Sequence, residues 1–412
     1  MVIDWIYKIN NKEGVRVTLV FVSNYLTHHQ KPFCDAMNQA LSGNFTFIST
    51  MPFEQERLNM GWESSSESYE LRSYLNKENQ DKAFELLKNA DAVIVGNAID
   101  IKEIIKIRMS SNKLTFRYSE RLYKKGRWRA CNPKNWIRNW NENLRYTNKQ
   151  LYLLCASAYT AADFNLMGAY KKKAFKWGYF PEVKKHNINE LMKNKMSLKS
   201  TNQSSPCALI LWVGRFLRCK HPEVPVRLAE VLKHYGYNFD LKIIGSGELE
   251  FEINRLIEEK KLVDCVEVLG NMSPKNVRKY MEQADVFLFT SDFNEGWGAV
   301  LNEAMNSGCA VVASHSAGST PFLVEHGVNG LIYRNGNNND LLNCVKKLLD
   351  DLNYCHSLGF NAYYTMVDVW NSDEAANRLI ELCKGINNNC IVYYDDGPCS
   401  RAEVLWNNWY KG

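Results

Sequence analysis

The sequence lacks the segments that anchor, export or cross-link many proteins. No apolar run approaches the roughly 20 residues that a membrane-spanning helix needs. The 12 cysteines include no C-x-x-C pair and no spacing typical of a zinc site. No basic segment precedes an apolar one at the N-terminus, so a secretory signal is not expected. These absences exclude a transmembrane protein and a small disulfide scaffold, and they predict a protein of the reducing cytoplasm.

Composition and charge indicate a globular chain whose two halves differ. The 412 residues are 45% apolar and 23% charged, which suits two or three folded domains and excludes collagen, coiled coils and long disordered tails. The net charge of +6 is unevenly divided. Residues 1–180 carry 27 Lys and Arg against 17 Asp and Glu (+10), whereas residues 181–412 carry 24 against 28 (−4). Any functional interpretation has to explain this asymmetry.

Short apolar runs alternate with helical segments in both halves, which is typical of parallel sheets covered on both faces. The expected strands are Val17–Val22, Phe45–Ile48, Ala92–Gly96, Leu151–Ala156, Ala208–Val213, Leu241–Ile244, Val266–Leu269, Val286–Phe289 and Ala310–Ala313. The expected helices are Pro32–Leu41, Lys82–Leu87, Val226–Tyr235, Glu248–Lys260, Val277–Ala284 and Ala299–Asn306. The polar segment 181–206 is predicted to link two α/β domains, 1–180 and 207–385, with a tail at 386–412.

Two basic side chains follow the first strand of the second half, where ligands of open α/β sheets bind. Arg215 and Lys220 come after Gly214, a residue that lets backbone approach a ligand closely. Two fixed cations suit a diphosphate, which Arg binds as a fork and Lys as a point charge. Surface charges in an ordinary loop are the alternative at this point.

A second loop combines glycines with two carboxylates. Gly296 and Gly298 place backbone N–H groups at the start of a predicted helix, which suits an anion. Glu295 lies in the loop and Glu303 about one turn inside the helix, so both are expected to face one cleft. Carboxylates accept hydrogen bonds from sugar or ribose hydroxyls. Alternatively, Glu303 is a surface acid and Glu295 a helix cap.

Six motifs in order resemble the GT4 family of retaining GT-B glycosyltransferases. Glu295 and Glu303 enclose seven residues, as in the family's E-x7-E signature, and Arg215 with Lys220 matches its diphosphate-binding pair. The other matching segments are Gly245–Glu248, Val268–Asn271, Ala317–Pro321 and Glu325–Ile332. The resemblance covers residues 207–385. It implies a GT-B fold, in which two Rossmann-like domains face each other across a cleft and the C-terminal one holds the nucleotide-sugar donor.

The resemblance also implies roles for individual residues. Arg215 and Lys220 would hold the donor diphosphate and stabilise the leaving nucleotide, assisted by a helix dipole. Glu295 would contact the donor sugar, and Glu303 would bind the ribose hydroxyls. The further donor-binding residues would be Gly214, Gly245, Gly270, Asn271, Gly296, Trp297 and Gly298, with the main chain of Gly270 and Asn271 next to the base.

No metal or other cofactor is expected. The sequence has no Asp-x-Asp pair, with which metal-dependent transferases of the other common fold hold a divalent ion. Arg215, Lys220 and a helix N-terminus could stabilise the charge that develops on the leaving phosphate. Retention of anomeric configuration is implied by the family alone.

The first half would bind the acceptor, and there the match is thin. The first predicted strand is not followed by G-x-G-x-x-G, which argues against a dinucleotide oxidoreductase. His28 and His29 in this loop are candidates for binding acceptor or donor phosphate, or for capping a helix. Glu120 lies roughly at the sequence position where many family members carry a histidine, which this sequence lacks. It could contact the donor sugar or acceptor, with Arg121 paired to it, or the two could form a purely structural ion pair.

Residues 113–149 hold most of the positive charge of the first half, with 11 Lys and Arg against two acids. Trp136 and Trp140 fall on one face of a predicted helix, and Arg138 flanks them. Such a helix suits an anionic membrane surface. Nucleic-acid binding is a weaker interpretation because no motif for it is present, and a solvated basic loop with core tryptophans is the third.

Together these features predict a retaining glycosyltransferase that moves a sugar from a nucleotide-diphosphate donor to a hydroxyl of a glycan. A lipid-linked acceptor in cell-surface polysaccharide synthesis is expected, with the enzyme cytoplasmic and peripheral on the inner face of the membrane. The alternatives are a GT-B epimerase or phosphorylase, and a non-catalytic nucleotide-sugar-binding module. The tail is expected to be helical and to return to the N-terminal domain, with Trp406 and Trp409 as packing residues.

Overall fold

The computed structural model describes residues 17–54, 66–197 and 207–412, which form two parallel sheets. The strands of the N-terminal sheet are β1 (Leu19–Ser23), β2 (Phe45–Ser49), β3 (Glu70–Arg72), β4 (Ala92–Val95), β5 (Leu114–Ser119), β6 (Leu151–Cys155) and β7 (Ala174–Lys176). Those of the C-terminal sheet are β8 (Ala208–Val213), β9 (Phe239–Ile244), β10 (Val266–Gly270), β11 (Val286–Phe289), β12 (Ala310–Ser314) and β13 (Leu331–Tyr333).

Helices cover the faces of both sheets. The N-terminal half contributes α1 (Lys31–Ala40), α2 (Lys77–Asn89), α3 (Ile101–Ser110), α4 (Pro133–Glu142) and α5 (Thr160–Asn165), and α6 (Ile188–Ser197) follows in the predicted linker. The C-terminal half contributes α7 (Glu223–His234), α8 (Glu250–Glu259), α9 (Pro274–Gln283), α10 (Val300–Asn306), α11 (Thr320–Leu323), α12 (Asn338–Asp350), α13 (Leu352–Tyr364) and α14 (Ser372–Asn387).

The order of the strands locates the site. The N-terminal order is β3-β2-β1-β4-β5-β6-β7, and the C-terminal order is β10-β9-β8-β11-β12-β13. Strands β1, β4, β11 and β12 are buried throughout, as their continuous apolar sequences require. Each order reverses beside its first strand, and ligands of such sheets bind at that point, beyond the carboxyl ends. The prediction of two Rossmann-like domains is confirmed.

The predicted linker 181–206 contains helix α6 within its described part, and this helix packs on the C-terminal domain. Lys195 is 1% exposed, and its ammonium donates to the carbonyls of Met281 (3.1 Å) and Ala284 (2.5 Å) at the end of α9. Ile188 and Met192 are buried on the same face. The polar composition hid this helix, because its inward face has helical spacing but includes a lysine.

The chain crosses back towards the N-terminal domain after α13. Helix α13 runs into a π-helical turn, Thr365–Val369, and α14 then packs against α1 of the N-terminal domain. From Asn388 onwards the tail has bends and turns rather than the expected helix. Lys176 N donates to the Ser400 carbonyl (2.7 Å), and Ala402 N donates to the Ala174 carbonyl (3.1 Å), so the tail lies along β7.

Candidate active site

Three loops meet at the carboxyl ends of β8, β9 and β10. Gly245 N donates to the Gly270 carbonyl (2.9 Å), and Asn271 Nδ2 donates to Ser246 Oγ (2.6 Å). Gly245 has a φ of +139°, and a Cβ there would lie 1.9 Å from the Gly214 carbonyl oxygen. Only glycine allows this approach. The predicted residues Gly214, Gly245, Gly270 and Asn271 therefore belong to one continuous backbone surface.

Lys220 and Glu295 contact each other. The resemblance assigns Lys220 to the diphosphate and Glu295 to the sugar. Lys220 ends a short 3₁₀ turn, Arg218–Lys220, and forms an ion pair with Glu295. Their side chains are 19% and 13% exposed. The Ser291 hydroxyl also donates to Glu295 (3.2 Å). Arg215 is exposed and has no ion-pair partner in the described part of the chain.

A buried chain of hydrogen bonds fixes the backbone of Lys220 against β11. Trp212 Nε1 donates to Thr290 Oγ1 (2.8 Å), and the Thr290 hydroxyl donates to the Lys220 carbonyl (2.6 Å). Asp292 N donates to the Cys219 carbonyl (2.9 Å). The loops after β8 and β11 are thus tied together, and the ammonium of Lys220 is held at a defined place at the strand ends.

His221 was not predicted from the sequence. It connects the loop after β8 to the loop after β11. Its Nδ1 lies 3.0 Å from Glu223 Oε1, and its Nε2 lies 3.3 Å from Asp292 Oδ2. Hydrogen bonds to Asp292 and Glu223 raise the pKa of His221 to about 9, against the opposing effect of burial. The imidazolium therefore carries charge at neutral pH. The only sequence signal was a histidine directly after Lys220, since Asp292 lies far along the chain.

The glycine loop after β11 is enclosed by both domains. A Cβ at Gly296 would lie 2.0 Å from Glu120 Oε2, and one at Gly298 would lie 2.3 Å from the Phe289 ring. Trp297, which was expected to bind donor, is fully buried, and its Nε1 donates to Asn302 Oδ1 (2.9 Å). The indole packs into the core at the domain junction, so a contact of Trp297 with a donor would have to come from its main chain.

Glu303 lies half-buried in α10, eight residues after Glu295. Burial raises the pKa of its carboxyl above the ordinary value, and the nearby Arg278 opposes the shift. The Arg278 guanidinium donates to the Glu303 main-chain carbonyl (2.9 Å) and to Asn306 Oδ1 (2.5 Å). Within the described ranges, the Glu303 carboxylate has no side-chain hydrogen-bond donor. It can therefore accept hydroxyl donors from a ligand.

The acceptor-side candidates lie around Tyr179. The Tyr179 hydroxyl donates to Glu120 Oε1 (2.6 Å), and the Lys124 ammonium pairs with Glu120 Oε2 (2.5 Å). The His29 ring is parallel to Tyr179 at 6.2 Å between centroids, and His28 lies 3.8 Å from His29. Burial and the Glu120 charge hold the pKa of Tyr179 well above its usual value. The structure thus brings His28, His29 and Glu120 together, and Tyr179 is an addition to the prediction.

Arg121 does not pair with Glu120, which corrects one expected role. Its guanidinium pairs with Asp163 (3.4 Å), donates to the Phe293 carbonyl of the other domain (3.4 Å) and lies 5.0 Å from the Tyr159 ring centroid. Arg121 is only 4% exposed. It is a structural residue of the domain junction, and Lys124 takes the expected place beside Glu120.

The residues predicted for a membrane face lie on helix α4. Trp136, Arg138 and Trp140 are exposed on α4, which packs against α3. None of the helices in the described ranges has the length and apolar character needed to span a bilayer. In these same ranges, no three His, Cys, Asp or Glu side chains are grouped as metal ligands would be.

Comparisons with known proteins agree with this architecture. Residues 195–365 match the family model described as glycosyl transferases group 1. The solved structure of Anabaena HepE in complex with UDP has a TM-score of 0.64 and 14% identity, over 90% of this chain and 100% of that one. At this identity the likeness concerns the fold alone.

Two curated relatives resemble part of the chain. The amylovoran biosynthesis glycosyltransferase AmsK of Erwinia amylovora is 33% identical over 147 residues, 34% of this chain and 36% of AmsK. A Campylobacter jejuni enzyme is 32% identical over 168 residues, 39% of this chain and 44% of that protein. Its name is N-acetylgalactosamine-N,N'-diacetylbacillosaminyl-diphospho-undecaprenol 4-alpha-N-acetylgalactosaminyltransferase. The matched region thus spans less than half the length of either relative. The chain has the GT-B fold of glycosyltransferases, and its residues 195–365 match the group 1 family.

Proposed function

We propose that this protein is a retaining glycosyltransferase of the GT4 type, which moves a sugar from a nucleoside-diphosphate donor to a glycan hydroxyl. The observation that carries the proposal is the contact between Lys220 and Glu295 beside Arg215, at the carboxyl ends of the C-terminal strands. A cation pair and a carboxylate at this place suit a diphosphate joined to a sugar. The group 1 family match over the same residues supports it.

The donor would bind across the C-terminal loops. Arg215 and Lys220 neutralise the diphosphate, which becomes a better leaving group because its developing charge is stabilised. Glu295 accepts hydrogen bonds from the sugar, and Glu303 accepts them from the ribose, while Gly270 and Asn271 lie beside the base. We assign this stabilisation to side chains and expect no metal ion to be required.

The transfer itself breaks the bond between the anomeric carbon and the phosphate oxygen. The acceptor oxygen bonds to the same face of that carbon, which retains the configuration, and the acceptor proton leaves with the nucleoside diphosphate. Glu120, with Tyr179 on one oxygen and Lys124 on the other, lies against Gly296 and would orient the acceptor hydroxyl. His28 and His29 complete this side of the cleft.

A lipid-linked glycan is the proposed acceptor class, within polysaccharide synthesis at the cell surface. The Campylobacter relative is named for a diphospho-undecaprenol-linked acceptor, and the Erwinia relative for amylovoran biosynthesis. We place the enzyme in the cytoplasm, peripheral on the inner membrane face, since its many buried cysteines suit a reducing compartment. No nucleic acid is expected as a partner.

The test is turnover of a panel of nucleoside-diphosphate sugars in the presence of membrane-extracted lipid-linked glycans. We expect one α-linked donor to release its nucleotide, and NMR of the product to show an α linkage. A β linkage would refute retention. Interconversion of the free nucleotide sugar would instead support an epimerase, phosphate-dependent turnover would support a phosphorylase, and binding without turnover would support a non-catalytic module.

A further inference from the structure

Helix α4 exposes its apolar residues, and its one buried residue is an asparagine. Trp136, Ile137 and Trp140 are 46%, 63% and 57% exposed, whereas Asn139 is buried. Trp128, just before the helix, is 71% exposed. A helix on a globular protein normally directs its apolar stripe towards the core. The inversion therefore indicates that the apolar side has another partner.

Hydrogen bonds fix this inverted orientation. Asn143 Nδ2 donates to Asn139 Oδ1 (2.9 Å), and the buried Tyr170 hydroxyl donates to Asn143 Oδ1 (2.5 Å). The Asn132 side chain caps the helix by accepting from Lys134 N (2.9 Å). Rotating the tryptophans inwards would bury or break these polar contacts, which is costly. The exposure is thus built into the domain rather than a result of loose packing.

Exposed cations lie in the same segment as the exposed aromatic rings, and Arg129 lies 5.7 Å from the Trp128 ring centroid. Arg129, Lys134, Arg138 and Arg145 are all exposed, and none forms an ion pair with a residue of the described ranges. Their hydrogen bonds go to neutral groups, as from Arg138 to Asn135 (3.3 Å). Unpaired cations in the same segment as tryptophans complement anionic lipid headgroups, with the rings at the level of the interface.

The surface is joined to the cleft by a short segment. Glu120, which lies against the donor loop, is eight residues before Trp128, a span of at most about 29 Å when fully extended. Arg127 in this segment lies 4.3 Å from the Trp406 ring centroid and is therefore held by the tail. The N-terminal domain can therefore hold a glycan in the cleft while the lipid attached to that glycan stays in a nearby bilayer.

We propose that Trp128, Trp136, Ile137 and Trp140, with the cations of the same segment, insert into the headgroup region of an anionic membrane. This aromatic-basic surface docks the N-terminal domain so that the cleft meets a lipid-linked acceptor. The proposal rests on the proposed function and adds a membrane-binding site to it. It accounts for the charge asymmetry, since the excess of cations belongs to the docking domain.

The experiment is co-sedimentation with vesicles of phosphatidylcholine alone or mixed with phosphatidylglycerol. We expect binding to the mixed vesicles that is weakened by salt. The Trp136→Ser/Ile137→Ser/Trp140→Ser variant should lose it, and Lys134→Glu/Arg138→Glu should weaken it at least about tenfold, because each cation near the surface contributes severalfold. Phe251→Ser/Val263→Ser, at exposed apolar positions of the C-terminal domain, is the matched control and should bind normally.

Equal binding to both vesicle types, or unchanged binding by the triple variant, would overturn the proposal. So would a dimer in analytical ultracentrifugation that the triple variant dissociates, or binding to a nucleic acid in place of vesicles. UDP affinity is measured in parallel for every variant and should not change. Vesicle binding without any nucleotide binding would defeat the proposed function while leaving the docking surface intact.

Discussion

Removing the charge of Glu295 should tighten nucleotide binding while it slows sugar transfer. Glu295 holds Lys220, the cation that we assign to the diphosphate, so a nucleotide must compete with a carboxylate for that ammonium. Glu295→Gln keeps the size and the hydrogen-bonding oxygen of the side chain but removes its charge. The variant should therefore leave Lys220 available to the nucleotide and lose strength in its contact with the sugar.

The size of the effect follows from the partial burial of the pair. Two unit charges 4 Å apart attract by about 4 kcal/mol at an effective dielectric constant near 20. Rehydration of the separated groups offsets much of this, and a charge-assisted hydrogen bond contributes about 1.5–3 kcal/mol net. Since both side chains retain some solvent contact, we expect a gain of about 1–2 kcal/mol, or roughly five- to thirtyfold in UDP affinity.

Calorimetric titration with whichever of UDP, GDP and ADP the protein binds measures this directly. Lys220→Met should weaken binding about tenfold or more, and most of the Glu295→Gln gain should disappear in the Lys220→Met/Glu295→Gln double variant, since the gain depends on Lys220. Glu252→Gln, at an exposed position on α8, is the control for removing an acid from the same domain. Weaker binding by Glu295→Gln would refute the competition between carboxylate and diphosphate.

Three further outcomes are expected. The raised pKa of His221 means that its stabilisation is complete below its unfolded value near 6.5 and is lost as pH rises through about 9. In denaturant titrations the free energy of unfolding should decrease by about 1–2 kcal/mol over that pH range, and the decrease should be absent in His221→Gln. Lys195→Met should lower the free energy of unfolding by about 1–3 kcal/mol, because the buried carbonyls at the end of α9 lose their donor. The control Lys193→Met, at an exposed position of the same helix, should leave the free energy of unfolding unchanged. Equal losses in the two variants would contradict this reasoning. Tyr179→Phe should reduce kcat about three- to tenfold at unchanged UDP affinity, because Glu120 loses one orienting hydrogen bond. Weakened UDP binding would show that Tyr179 belongs to the donor site instead.

The donor side was predictable because each of its motifs follows a buried strand. Glycines, cations and acids at consecutive strand ends are visible as sequence strings, and parallel strands bring those ends together. The sequence placed Lys220 and Glu295 in loops at strand ends, but it did not predict the ion pair between them. His221 could not, since its charge depends on partners in two different segments, Glu223 and Asp292.

The acceptor side and the domain junction were less predictable for physical reasons. Strand β5 was missed because Thr115 and Arg117 interrupt its apolar run, although Thr115 is fully buried and Arg117 donates to the Gly96 carbonyl (3.1 Å). Helix α6 was hidden by the buried ammonium of Lys195. Trp297 has the same sequence context whether it faces a ligand or the core, and only the packing of the two domains decides between them.

The most direct test of the donor-site assignment is hydrogen–deuterium exchange with and without saturating nucleotide, using UDP, GDP and ADP in turn. We predict that one of them slows amide exchange in residues 214–220, 245–248 and 295–303, and that Arg215→Ala/Lys220→Met loses this protection. Protection confined to the N-terminal domain, or none with any nucleotide, would contradict the account.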